Sequence, residues 1–117
     1  MAAHNELGKQ GEELAVIYLQ KNGYAILEKN WRYKKAEIDI IAKHNNTLIF
    51  VEVKTRETNY FGEPFEAVTS KKEALFNDAA EAYLEEKNLE NEVQFDIISI
   101  VVSGKSKPLI NHITEAF

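Results

Sequence analysis

The 117-residue chain has no cysteine, so neither a disulfide framework nor a thiolate metal site is open to it, and nothing points to an oxidising compartment. Two prolines and five glycines are spread along it without an internal repeat, a low-complexity tract or a linker. No apolar run approaches the roughly 18 residues of a membrane span, and the opening MAAHNELGKQGEE is too polar for a signal peptide. A soluble cytoplasmic protein with no membrane partner is the expectation. An excess of positive charge is missing too. Fourteen Lys and Arg stand against 19 Asp and Glu, a net charge of −5, which argues against a generally basic nucleic-acid binder.

The distribution of charge softens that exclusion. Residues 81–92 (EAYLEEKNLENE) hold five Glu and one Lys, so most of the negative charge sits in one run and the remainder carries only −1. Elsewhere Lys29, Arg32, Lys34 and Lys35 cluster, as do Lys54 with Arg56 and Lys71 with Lys72. Hydrophobic residues make up 44% and aromatics 10%, which excludes a disordered chain. The length suits one domain, residues 1–117, with a single core.

Apolar residues Leu7, Leu14, Ala15, Tyr18 and Leu19 recur at helical spacing over residues 5–22, and Gly23 follows as a stop signal. Tyr24-Ala25-Ile26-Leu27 reads as a short strand running towards Trp31 and Tyr33. Residues 37–42 and 48–54 are β-branched strands flanking His44-Asn45-Asn46-Thr47, a hairpin turn. Residues 56–68, with Gly62 and Pro64, read as a loop. Ser70-Lys71-Lys72-Glu73 fits a capping box, opening a helix striped with Leu75, Phe76, Ala79, Ala80, Tyr83 and Leu84 that decays in the acidic run. Residues 95–102 form a strand apolar enough to be buried on both faces, and Ile110, Ile113 and Phe117 suggest an edge strand. The order is α-β-β-β-α-β, an α/β protein. The passage from residue 48 to 102 should link two parallel strands by a right-handed crossover, giving a mixed sheet flanked by helices.

Two of these apolar strands carry charges. With a two-residue turn at Asn45-Asn46, Asp39 falls opposite Glu52 and Glu37 opposite Lys54, with Cβ atoms about 4.5–5.5 Å apart. Two carboxylates that close repel unless a positive group joins them. A hard divalent ion, Mg²⁺ or Mn²⁺, suits such a pair, and Lys54 would reach a water or phosphate beside it. That set fits phosphodiester hydrolysis. Ordinary cross-strand ion pairing is the competing reading of the same residues, and a one-residue slip in register would separate the charges.

Asp39, twelve intervening residues and then Glu52-Val53-Lys54 look like the PD-(D/E)xK signature of restriction-endonuclease-like nucleases. Gly8-Lys9-Gln10-Gly11-Glu12, Gly23-Tyr24, residues 37–42, Phe50 to Arg56, Phe61-Gly62 and His112-Ile113 resemble the YraN-like uncharacterised protein family, uncharacterised protein family 0102, over nearly the whole chain. That family is grouped by fold with archaeal Holliday-junction resolvases. The resemblance implies an αβββαβ core in which Asp39 and Glu52 bind metal with Glu12 from the first helix, and Lys54 orients water and neutralises phosphate. Two departures stand out. The signature proline is absent, as is normal for this group, and Ala36 stands where the group usually has Gly.

Lys72 matches a lysine that the family places at the start of the second helix, and Lys71 and Lys72 there are candidate phosphate contacts, as are Arg32 and Arg56. Glu66 is a helper or a solvated loop charge. Trp31 is a base-stacking candidate or a packing residue. His4, His44 and His112 suit no metal cluster, and His44 in its turn is expected to face solvent. The resulting expectation is an Mg²⁺-dependent endonuclease acting on DNA, branched or otherwise structured. As in resolvases, which cut two strands symmetrically, it would work as a homodimer. The alternative is a non-catalytic module that keeps the nuclease fold and binds nucleic acid or a protein partner, which the acidic run favours.

Overall fold

The computed structural model describes residues 6–57, 70–104 and 106–117. Helix α1 (Glu6–Lys21) precedes strands β1 (Ala25–Tyr33), β2 (Ala36–His44) and β3 (Thr47–Glu57); helix α2 (Ser70–Lys87), β4 (Glu92–Val102) and β5 (Leu109–Ile113) follow. His4, Phe61-Gly62-Glu63-Pro64 and Glu66 lie outside the described residues. The strands form one sheet in chain order, β1-β2-β3-β4-β5. β3 and β4 run parallel, and the other neighbours are antiparallel. The fold is α/β, with the αβββαβ order read from the sequence and β5 added at the far edge.

Alternation along β3 builds two cores. Leu48 and Phe50 point to one face, where Phe76, Ala79, Ala80 and Tyr83 of α2 cover them. Ile49 and Val51 point to the other, beneath Ala15 and Leu19 of α1. β4 is buried continuously from Phe95 to Ile100, as its apolar sequence predicts. Trp31 packs edge-on to Tyr83, with ring centroids 5.2 Å apart, and so belongs to the α2-side core.

Backbone conformation fixes the ends of these elements. Both central residues of the β2–β3 turn are left-handed, Asn45 at φ 51° and Asn46 at φ 68°, the pattern of a type I′ hairpin that Asn tolerates. That turn sets His44 against Thr47 and Ile40 against Val51, the register expected from sequence. Gly23 (φ 88°) closes α1 in a Schellman motif, with Tyr24 N–H bonded to Leu19 O and Gly23 N–H to Gln20 O. Asn88 (φ 55°) closes α2 the same way. The second helix therefore ends at Lys87, inside the acidic run as expected, and ends sharply there. The left-handed residue of the β1–β2 turn is Lys34 (φ 55°), which leaves Ala36 an ordinary strand position where a side chain is no burden.

Three further expectations are corrected. β1 runs to Tyr33, because β2 is long enough to pair with it from Ala25 to Tyr33 across a bulge between Ile26 and Glu28. β3 continues to Glu57 alongside β4, so Arg56 is a strand residue and not the start of a loop. His44 is half-buried, its ring stacked on Tyr24 at 4.1 Å between centroids.

One polar cluster went unnoticed in the sequence. Asp96, fully buried in β4, accepts hydrogen bonds from His112 Nε2 (2.6 Å), Gln94 Nε2 (3.0 Å) and the Glu115 N–H (3.1 Å). Because a carboxylate only accepts, Nε2 carries the proton, and in the neutral ring Nδ1 then accepts from Tyr18 OH at 3.0 Å. The cluster ties the C-terminal residues to β4 and α1.

At Gly11, α1 rests directly on the sheet. A Cβ there would lie 1.8 Å from Thr55 Oγ1. Helix propensity alone favours Ala over Gly by about 1 kcal/mol; the contact reverses the sign. Gly11→Ala is expected to lower stability by about 2 kcal/mol in denaturant titration, the cost of overpacking. A neutral or stabilising result would mean that α1 does not rest on Thr55.

Candidate functional site

Regular pairing of β2 with β3 ends at Ile40 and Val51, although both strands continue. Residues 36–38 of β2 stay with β1, and β3 from Glu52 onward stays with β4. The sheet forks there, with Asp39 and Glu52 at the first positions beyond the last pair. In the gap, Asp39 Oδ2 accepts the Val53 N–H at 2.8 Å, a donor for which the departing strand no longer supplies a carbonyl. The strand face also changes at Asp39. Ile38 packs in the α2-side core and Ile40 in the α1-side core, although residues two apart on a regular strand share a face. Opposite Asp39 in the β1 register stands Asn30, itself left-handed at φ 52°. Asp39 consequently lines hollows on both sides of the sheet, of about 490 Å³ beside α1 and about 290 Å³ beside α2.

On the α1 side, Gly11 against Thr55 brings the next residue, Glu12, over the sheet, half-buried, while Glu13 turns outward. Glu12 Oε1 accepts a hydrogen bond from Asn30 Nδ2 at 3.0 Å. Burial pushes the Asp39 carboxyl up to about 7 against the pull of the Val53 hydrogen bond, and the charges of Glu12, Glu52 and Glu37 add to the rise.

On the α2 side the balance is reversed. Glu52 is buried, 6% exposed, and its Oε2 meets two ammonium groups, Lys72 at 2.8 Å and Lys54 at 3.4 Å. Lys54 shares a strand face with Glu52, and Lys72 reaches across from the first turn of α2. The expected Glu37–Lys54 pairing does not form, because the fork carries residue 37 away with β1. Glu37 faces Arg32 there, at 3.8 Å. Arg32 is well exposed, Lys71 is exposed, and Arg56 is half-buried beside Val101.

The structure thus brings Glu12, Asp39, Glu52, Lys54 and Lys72 to the fork, and leaves Arg32, Arg56 and Lys71 around it. Asn30, which holds Glu12, was missed. Its signal was faint: a residue type tolerant of left-handed backbone inside a strand-like stretch. Among the described residues no group of three or more His, Asp or Glu is gathered closely enough to hold a metal ion; Glu12 is beside Asp39 but anchored by Asn30. The chemistry of the remaining donors does fit a hard cation. Mg²⁺ takes one or two carboxylates and fills its other positions with water, and the proton held by Asp39 up to about pH 7 marks a place where positive charge is lacking.

That raised pKa has a consequence for stability. Between about pH 4 and pH 7 the folded protein binds the Asp39 proton more tightly than the unfolded chain does, so stability falls as pH rises through this window. Asp39→Asn keeps an oxygen for the Val53 N–H and removes the charge. In metal-free buffer the variant is expected to exceed wild type by about 2 kcal/mol at pH 8 and to match it at pH 4. The same difference at both pH values in thermal unfolding would show that the Asp39 charge is not disfavoured in the fold.

The model of the Uncharacterised protein family UPF0102 matches residues 11–100, a span that contains the fork, α2 and α1 from Gly11 onward. A UPF0102 protein of Christiangramia forsetii is 55% identical over 117 residues, covering 100% of this chain and 98% of that protein. UPF0102 proteins of Flavobacterium johnsoniae (50% identical, 100% and 98% covered) and Geobacter metallireducens (46% identical, 100% and 97% covered) are similar over the same extent. The chain, with Glu12, Asp39, Glu52 and Lys54 all inside the matched span, belongs to the Uncharacterised protein family UPF0102.

Proposed function

We propose that this protein is a metal-dependent endonuclease that hydrolyses phosphodiester bonds in DNA, with branched or structured DNA as its substrate class. The observation that carries this reading is the fork itself, where Asp39 and Glu52 stand at the first unpaired positions and Lys54 lies beside Glu52. Asp39 and Glu52 would hold Mg²⁺ or Mn²⁺, with Glu12 adding negative charge from α1. Such an ion, when bound, lowers the pKa of a water and offsets charge on the phosphorane-like transition state. The hydrogen bond from Val53 fixes the Asp39 carboxylate before any substrate arrives. Lys54, with 29% of its side chain exposed, can orient the attacking water and neutralise phosphate charge from the rim. Arg32, Arg56, Lys71 and Lys72 supply contacts to the DNA backbone around the fork, and a homodimer would present two such sites to a branched duplex.

A second reading, a nuclease-fold module that binds nucleic acid or a protein partner without cutting, is favoured by one observation: Glu52 is already neutralised by two lysines. Cleavage assays on branched DNA with Mg²⁺ or Mn²⁺ separate the two. Wild type is expected to cut, and Lys54→Ala to lose about 100-fold or more in rate while retaining its circular dichroism spectrum and its DNA affinity. DNA binding should weaken steeply with salt, as phosphate contacts require. Salt-sensitive binding with no cleavage under either metal would favour the module, and undiminished cleavage by Lys54→Ala would remove that residue from the mechanism.

A further inference from the structure

We propose that Lys72 is a built-in counter-ion for Glu52, one that a divalent cation must displace to engage that carboxylate, so that α2 sets the metal affinity of the fork. The inference rests on the metal-site reading above and concerns a residue that reading uses only as a DNA contact.

Glu52 is nearly closed off from water, and a carboxylate so placed loses hydration that a positive partner must offset. Lys72 provides it through a charge-assisted hydrogen bond of 2.8 Å to Oε2. Lys54 approaches the same oxygen at 3.4 Å, a looser contact. The position of Lys72 is otherwise unfavourable. It lies in the first turn of α2, where the helix dipole repels a cation. Its ammonium nevertheless leans inward, with Nζ 5.8 Å from the Phe76 ring centroid as well as on Glu52. A lysine at the wrong end of a helix gains by reaching a buried carboxylate, and the carboxylate gains a partner. A divalent ion seated on Glu52 offers the same compensation and, with twice the charge of Lys54, repels an ammonium held on that carboxylate far more strongly than Lys54 does from 3.4 Å. Ion and ammonium therefore compete. Lys72 leaves Glu52 when the ion binds, and its ammonium becomes available to a phosphate.

Calorimetric titration with Mn²⁺, together with thermal unfolding with and without Mn²⁺, tests this directly. Lys72→Met keeps the length and apolar stem of the side chain. Without metal it is expected to melt below wild type, and with Mn²⁺ to bind at least about tenfold more tightly, the worth of a charge-assisted hydrogen bond. Mn²⁺ should accordingly raise its melting temperature more than that of wild type. Lys71→Met removes the same charge one residue away and should change Mn²⁺ affinity by less than about twofold, as an exposed charge does. In a Glu52→Gln background the Lys72→Met gain should disappear. Should Lys72→Met fold poorly, Lys72→Arg, which keeps the charge, is expected to retain wild-type affinity. Equal or weaker Mn²⁺ binding by Lys72→Met than by wild type would overturn the competition and leave the metal site standing. Saturable binding by neither protein would overturn the metal site as well.

Discussion

The hydrogen bond from Val53 N–H to the Asp39 carboxylate is the contact on which the fork depends. Two antiparallel strands can separate only if the backbone groups left behind find partners, since an unpaired buried N–H costs as much as a lost hydrogen bond. Water would satisfy Val53 at an exposed edge. Here the gap is half-buried within the sheet, and a side-chain oxygen takes the place of the missing carbonyl. Asp39 is long enough to span that gap and short enough to be held rigidly by it. With the donor satisfied, β2 is free to turn away with β1 while β3 continues with β4, and the cleft between them is lined by side chains instead of ladder bonds.

The substitution has an electrostatic cost. A carbonyl is neutral and Asp39 is an acid, so the repair brings an ionisable group into a partly buried place beside Glu12, Glu37 and Glu52. A structure optimised only for stability would use Asn or Ser at that position. An acid retained at a sheet fork, where it resists ionisation up to about pH 7, is better suited to meeting a cation than to holding strands apart.

Much of this was legible in the sequence because the informative signals are local. Asn45-Asn46 sets a two-residue turn, the turn sets the register, and the register brings Asp39 and Glu52 to corresponding positions. Gly23 and the apolar stripes fixed both helices to within a residue or two at most ends. The fork was not legible, because it requires knowing that the ladder stops at Ile40. Pairing carried three positions past the last true pair put Glu37 against Lys54, when the departing strand gives Glu37 to Arg32. Asn30 gave little warning, its left-handed backbone being one option among several for Asn. Contacts between distant elements were invisible for the same reason. Lys72 on Glu52 and Tyr18 on His112 on Asp96 depend on how helices lie across the sheet, which no single-strand pattern encodes.

The two helices deliver opposite charges to the fork from opposite faces. From α1 comes Glu12, placed by the close approach of Gly11 to Thr55; from α2 comes Lys72, placed by the capping sequence that starts the helix. Asp39 is consequently short of positive charge on one side, while Glu52 is crowded by it on the other. A single ion of either sign leaves one half of this arrangement unsatisfied. In the reading proposed above, a metal held by Asp39 and Glu52 and a phosphate drawn to Lys54 and the displaced Lys72 would together match both halves. On that reading the polarity of the fork would suit a phosphate ester together with its metal, in a chain whose net charge of −5 would otherwise repel a nucleic acid.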